Sequence, residues 1–457
     1  RVVMPPMNLG LPCWEYDPAF DIRGHITEAE LKRGTPAELK AFAGKLLSAT
    51  MDRNRPLWDF TLVQGVKNAG ASGTHTALIV RVHHCLADGI SGVGMLATLM
   101  DATSEAPPLA PPRKFHAPKP TDASTRLVDG VVTTFFSGMQ RFLTAQAELL
   151  DFAQRMTHAM SNGDTHEGEE HSLGAQAKVP SLGELTQLIP EFASPTERMP
   201  FNIVCRGPQK FEWAALSLHE IKAVKRHYGA TVNDVFLAVV TTAVRRYAEM
   251  HHAKTAGGLL RVIVPVSIRG KDHLSELGNR ITFLPVTIPF SKSPKRLIAS
   301  VHERTAFLKS SHLADVVGFF GTVLGAVPVP VQAMLGPIAS ALPIPAGNII
   351  CTQVPGPREP LYLMGRRMLS CYPYVPLGGE FGMNVAVLTY NDVAHFGFSG
   401  DAHAIPDLQR MPKLLSQAFE ELKKASGVRT SRKPRVVAER KKPETAAEPA
   451  AMAAAGD

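Results

Sequence analysis

Two histidines stand side by side at His83 and His84, and Asp88-Gly89 follows them within the run RVHHCLADGISGVGMLATLM. An imidazole suits proton transfer near neutral pH because its unperturbed pKa is about 6.5. A carboxylate four residues beyond His84, where the chain turns into an apolar stretch, can cap backbone amides or hold a salt bridge that fixes the loop. Competing chemistries lack their motifs: the sequence has no GxSxG elbow for a serine nucleophile, no HExxH and no phosphate-cradling GxxxxGK[ST]. Cys85 adjoins His84 and invites a nucleophile reading, against which a small buried thiol is preferred. On residue types alone the histidine pair is open between two roles, a general base in a cleft and a structural pair at a strand end.

The hydrophobic pattern supplies the elements that must position these residues. An apolar strand, Ala77 to Val82, runs into the pair, and an apolar helix begins around Ile90. Neighbouring strand residues point to opposite faces, so one histidine is expected to face a given cleft and the other to pack or orient. Strand-like and helix-like pieces alternate again after Arg206. A strand is expected at Phe211–Leu218, a short helix ending at Gly229, a second helix from Thr231, and β-branched strands at Leu259–Ile268 and Ile281–Phe290. Such alternation makes each half an α/β fold.

Between the halves the composition changes. Residues 102–124 are proline-rich and read as an interdomain crossing, and Arg126–Met160 carries Val128, Val132, Phe135, Met139, Phe142, Leu149, Phe152 and Met156 at helical spacing. The loop 161–174 sets His166 and His171 beside Glu167, Glu169 and Glu170, but neither spacing nor a third ordered His supports a fixed metal site, and a solvated loop is expected. No Asp, Glu, Lys or Arg occurs from Val316 to Pro357, yet prolines chop that stretch into pieces too short to span a bilayer. It reads as buried core, or as an acyl-chain channel wall or a surface that dips into lipid.

Over the whole chain of 457 residues the formal charge is 49 − 41 = +8, which is only mildly basic. Residues 429–442 contribute seven basic residues against Glu439 within an Ala- and Pro-rich tail expected to be disordered, so no nucleic-acid partner is needed to explain the charge. That tail is expected either to tether the chain to anionic headgroups or to be inert. Five scattered cysteines form no CxxC pair and favour a reducing compartment. The sequence opens on Arg1 without the apolar core of a signal peptide, and is expected to start inside a longer protein.

The segment His83 to Gly89 matches the HHxxxDG signature of the chloramphenicol acetyltransferase-like acyltransferases, and its surroundings resemble one branch of that superfamily. Asp52–Asp59, DRNRPLWD, is similar to the DRSRPLWE segment of bacterial wax ester synthase/acyl-CoA:diacylglycerol acyltransferases, and Gly229–Val240 to their ATVNDVVLA motif. Pro265–Arg269 (PVSIR), Leu277–Arg280 (LGNR) and Val354–Pro357 (VPGP) follow in the family's order, and the resemblance spans roughly residues 1–425. Two departures stand out. The family's segment ahead of the equivalent of Arg1 is not in this sequence, and Gln353 replaces its Asn before VPGP.

The resemblance implies two chloramphenicol acetyltransferase-like domains with a tunnel between them. The first would cover 1–104, an interdomain crossing 105–196, the second domain 197–427 and the tail 428–457. It further implies an O-acyltransferase that moves a fatty acyl group from acyl-CoA to a long-chain alcohol or diacylglycerol, giving wax ester or triacylglycerol. Acyl-CoA would be a substrate, and neither cofactor nor metal is expected. His84 would be the general base, with His83 beside it, Asp88 pairing structurally with Arg269, and Gly89 permitting a tight loop. Pro56, Leu57 and Trp58 are expected to shape the tunnel, while Asn233 and Asp234 serve either its mouth or the cap of their helix. Ser267, Asn279 and backbone amides are the candidate oxyanion donors. The implied location is cytoplasmic, in peripheral contact with membrane or lipid droplets. Two alternatives remain: the same chemistry on a polyketide, sugar or amine acceptor, and a non-catalytic protein that binds lipid droplets.

Overall fold

The structure is a computed structural model that describes residues 1–4, 12–67, 73–87, 89–105, 194–267, 281–310 and 347–428, with scattered positions between 122 and 146. Most of the expected interdomain crossing, the polar loop 161–174, residues 311–346 of the charge-free stretch and the basic tail from 429 lie outside the described residues.

In the N-terminal half, β1 (Val2–Val3) and β2 (Cys13–Trp14) form a short ribbon. A three-stranded sheet follows, with β3 (Ile26–Glu30) parallel to β4 (Trp58–Lys67), which is antiparallel to β5 (Thr74–Val82). Helix α1 (Pro36–Ser48) starts where the Thr35 hydroxyl accepts the Glu38 N–H. The Glu38 carboxylate in turn accepts the N–H groups of Lys32, Arg33 and Gly34, so one acid closes the turn before the helix. Leu31, Val63 and Val66 form the small core beneath it, joined by Leu39 and Phe42 of α1. Helix α2 (Gly89–Leu99) follows the histidine pair.

The C-terminal half contains β6 (Gln209–Ser217), α3 (Leu218–Tyr228), α4 (Val232–Met250), β7 (Leu259–Ser267), β8 (Ile281–Pro289), α5 (Pro294–Ser310) and β9 (Ile349–Pro355). After these come β10 (Tyr362–Leu363), β11 (Arg366–Arg367), β12 (Met383–Tyr390), β13 (Val393–Asp401) and α6 (Met411–Ala425). Six strands lie in the order β6-β13-β12-β9-β7-β8; β9 is parallel to both neighbours and the other pairs are antiparallel.

Local chemistry sets the helix ends close to their expected places. Ser217 caps α3, and Gly229 ends it in the left-handed region at φ 64°, a conformation that glycine adopts without steric cost. Thr231 opens α4 through a capping box with Asp234. From Asp234 to Ala248 that helix is buried on nearly every side, against α3, α5, α6 and one face of the sheet. Phe236 meets Phe396 of β13 edge-on at 5.4 Å, a geometry worth about 0.5–1.5 kcal/mol beyond burial.

Strand alternation divides the sheet residues between two faces. Ile349 and Cys351 of β9, Val385 and Val387 of β12, and Phe396 and Phe398 of β13 belong to the core under the helices. Val354, Leu388 and His395 are buried outside that core, on the opposite face. The N-terminal half meets the sheet at β6, through α1, and at β9, through α2. Between Ser124 and Gln146 the described positions are helical, as the spacing predicts, and Val128, Val132, Phe136, Met139 and Leu143 are exposed. Among the described residues no helix is long and apolar enough to cross a membrane.

Candidate active site

Strand β5 pairs with β4 as far as Val82, opposite Trp58. The His83 N–H then donates to the Leu57 carbonyl at 2.9 Å, and the Leu86 N–H returns to the His83 carbonyl at 2.9 Å. This closes a four-residue turn with His84 and Cys85 at its centre. The alternation expected of two strand histidines therefore does not apply, because both lie past the strand and both are exposed. β4 begins only at Trp58, and the His83 carbonyl, which would have continued the ladder, accepts the Leu86 N–H instead.

The Cys85 N–H donates to Nδ1 of His83 at 3.3 Å, which makes that nitrogen an acceptor and places the proton of the neutral ring on Nε2. The Cys85 thiol lies 3.0 Å from the same nitrogen. Burial pushes its pKa up, against the opposing pull of its own backbone amide and Arg53, so at neutral pH it is a thiol rather than a thiolate. Cys85 is exposed, which corrects the expectation of a small buried thiol.

Beneath the turn, Leu57 is buried, while Pro56 and Trp58 are half-buried. The Trp58 ring packs 4.5 Å from His25 and 5.3 Å from Phe60, and the Trp58 carbonyl accepts from Nδ1 of His25 at 2.7 Å. A charged pair that the sequence reading missed ties the strands to α1. Arg81 grips Asp59 through two bonds of 2.8 and 2.6 Å and donates to the carbonyls of Leu46 and Ala49 at 2.6 and 3.0 Å. Its signal was available only once register was known, since Asp59 and Arg81 face each other across β4 and β5.

Gly89 is the first residue of α2 and stands against Val354 of the VPGP stretch; a Cβ there would lie 2.6 Å from Val354 Cγ2. Asp234 is fully buried, and its carboxylate accepts from the Thr231 N–H at 2.8 Å, the Thr305 hydroxyl at 2.6 Å and Nδ1 of His302 at 2.8 Å. Burial pushes its pKa up, but these bonds outweigh it and hold the carboxyl below its ordinary range. Asp234 caps its own helix through the capping box with Thr231. Asn233 is half-buried beside it. Asp88, Arg269 and Asn279 lie outside the described residues, as does the side chain of Ser267, the last residue of β7. The Asp88–Arg269 pairing thus lies outside them as well.

Two α/β halves, with Gly89 of the HHxxxDG segment set against Val354 of the second half, define an acyltransferase of the chloramphenicol acetyltransferase-like class. A wax ester synthase/diacylglycerol acyltransferase from Marinobacter aquaeolei shares the fold with a TM-score of 0.62 at 22% identity, over 94% of this chain and 85% of that one. The profile of the wax ester synthase/diacylglycerol acyltransferase catalytic domain matches residues 1–236, and that of the family's C-terminal domain matches 277–423. The chain belongs to this family. A probable diacylglycerol O-acyltransferase of Mycobacterium tuberculosis is 26% identical over 424 residues, covering 92% of this chain and 83% of its own. The O-acyltransferase WSD of Acinetobacter baylyi is 24% identical over 444 residues, with coverage of 93% and 86%.

Proposed function

We propose that this chain transfers a fatty acyl group from acyl-CoA to the hydroxyl of a long-chain alcohol or a diacylglycerol, with His84 as general base. The observation that carries the reading is the place of His84: exposed at the centre of a turn whose first residue is tied to the Leu57 carbonyl. The imidazole takes the hydroxyl proton as the oxygen attacks the thioester carbonyl. The carbon–sulfur bond then breaks, and the departing CoA thiolate receives the proton. No acyl-enzyme is required, because holding the two substrates about 3–3.5 Å apart already removes much of the entropic barrier. A protonated Cys85 thiol agrees with direct transfer, since the thiolate is the nucleophilic form.

The names of the mycobacterial and Acinetobacter relatives support the acceptor class. The same reading has the substrates meet between the halves, where α2 approaches β9, and has the chain touch membrane or lipid droplets peripherally. The exposed apolar positions from Val128 to Leu143 support that contact.

Incubation with palmitoyl-CoA and either hexadecanol or dioleoylglycerol tests the function. Release of CoA with matching amounts of wax ester or triacylglycerol is the expected result. CoA release without ester, or none with either acceptor, would overturn the assignment.

A further inference from the structure

We propose that Val354 is a positioning residue for acyl transfer: its Cγ2 methyl is the seat against which Gly89 sets the start of α2, and through it the histidine turn. The inference rests on the function proposed above.

Val354 is buried on β9, where it pairs with Leu388 of β12; β7 holds the same strand at its start, opposite Ile349 and Ile350. The pairing with β12 fixes the backbone of Val354. Its β-branched side chain is also stiff at χ1 and has no alternative rotamer of low cost. Gly89 stands directly above, and a Cβ there would come within 2.6 Å of Cγ2. Its φ is not in the left-handed region, so glycine is required at this position for space. The obstruction that a side chain would meet here is Val354, a contact between the two halves. The turn closes at Leu86, leaving Ala87 and Asp88 between it and Gly89, and Ala87 is itself buried. With two residues between the turn and α2, a shift of α2 is expected to displace His84.

Relief of the clash in Gly89→Ala requires a movement of about 1 Å, and a misplacement of that size costs on the order of 10²-fold in rate. The test is a four-member cycle of wild type, Gly89→Ala, Val354→Ala and the double variant, assayed with palmitoyl-CoA and hexadecanol. Gly89→Ala is expected to lose about 100-fold in kcat with little change in the KM for palmitoyl-CoA. Adding Val354→Ala makes room for the new methyl and is expected to restore at least about tenfold of that loss. Val354→Leu presses on the same contact from the other side; it is expected to lower kcat likewise, and serves where Gly89→Ala does not fold.

Wild-type kcat in Gly89→Ala, or a double variant no better than Gly89→Ala, would overturn the seat. A wild-type protein without acyl transfer would contradict the proposed function and leave the seat to be judged by unfolding temperature. There, recovery in the double variant supports the contact, and additive losses overturn it.

Discussion

His395 illustrates what a single side chain contributes outside the turn. It is 2% exposed on β13, with its ring between Tyr372 at 5.1 Å and Tyr390 at 6.2 Å, and among the described residues its Nδ1 has no hydrogen-bond partner. Burial lowers its pKa to about 4, against smaller opposing contributions from the Leu388 and Val393 backbones. The folded chain thus favours the neutral ring. Below the unfolded value of about 6.5 the unfolded state binds a proton that the folded state refuses, so this group's contribution to stability falls as pH drops from about 6.5 to 4, by about 3 kcal/mol. In His395→Phe that dependence should vanish. Unfolding free energies of the two chains between pH 7 and 4.5 should diverge by up to about 1.4 kcal/mol per pH unit; parallel curves would contradict a buried neutral histidine. The position of this histidine was not legible in the sequence, where it sits unremarked in VAHFGFSG, because burial depends on the segment 372–376 crossing the sheet. Cys85 was misjudged for the opposite reason: its apolar surroundings in sequence, CLA, gave no sign of the exposed turn.

At the scale of elements, helix ends were legible and strand ends less so. Thr231 and Gly229 announce the start of α4 and the end of α3 through side-chain capping and a left-handed φ, both properties of the residue itself. The end of β5 was not so marked. It depends on where the partner strand β4 begins, at Trp58, and pairing partners cannot be read from spacing. The same holds for Arg81, whose hold on Asp59, Leu46 and Ala49 joins β4, β5 and α1 just ahead of the turn. The pair is largely withdrawn from water, with side-chain exposures of 15% and 25%. Arg81→Ala would remove the donor from the Asp59 carboxylate and the Ala49 carbonyl, leaving Leu46 only its bond from the Ala49 N–H, and is expected to destabilise the N-terminal half by about 2 kcal/mol. Arg81→Lys should recover only part of that, since an ammonium cannot reproduce the two-pronged grip. Urea unfolding followed by the fluorescence of Trp58, with the Trp213 and Trp14 signals removed by substitution, reads this directly. An unshifted midpoint in Arg81→Ala would show the pair to be dispensable.

The whole molecule depends on how the two halves are joined. Lys40 of α1 pairs with Glu212 at 2.5 Å, the Ser48 hydroxyl accepts the Gln209 N–H at 2.7 Å, and Asp101 exchanges backbone bonds with Tyr362 at 2.7 and 2.8 Å. With Gly89 against Val354, these contacts hold the N-terminal half against the six-stranded sheet. The α/β alternation was legible in the sequence as a matter of period, and the motif residues were legible through their resemblance to the family. The joins were not, since Gly89 and Val354 meet only through the folding of the chain between them. The account as a whole stands on His84. The decisive measurement is kcat for palmitoyl-CoA and hexadecanol in wild type and His84→Ala, with circular dichroism showing both folded. Loss of a general base predicts a fall on the order of 10²–10⁴-fold with the KM for palmitoyl-CoA little changed. A His84→Ala enzyme that turns over at the wild-type rate would contradict the account.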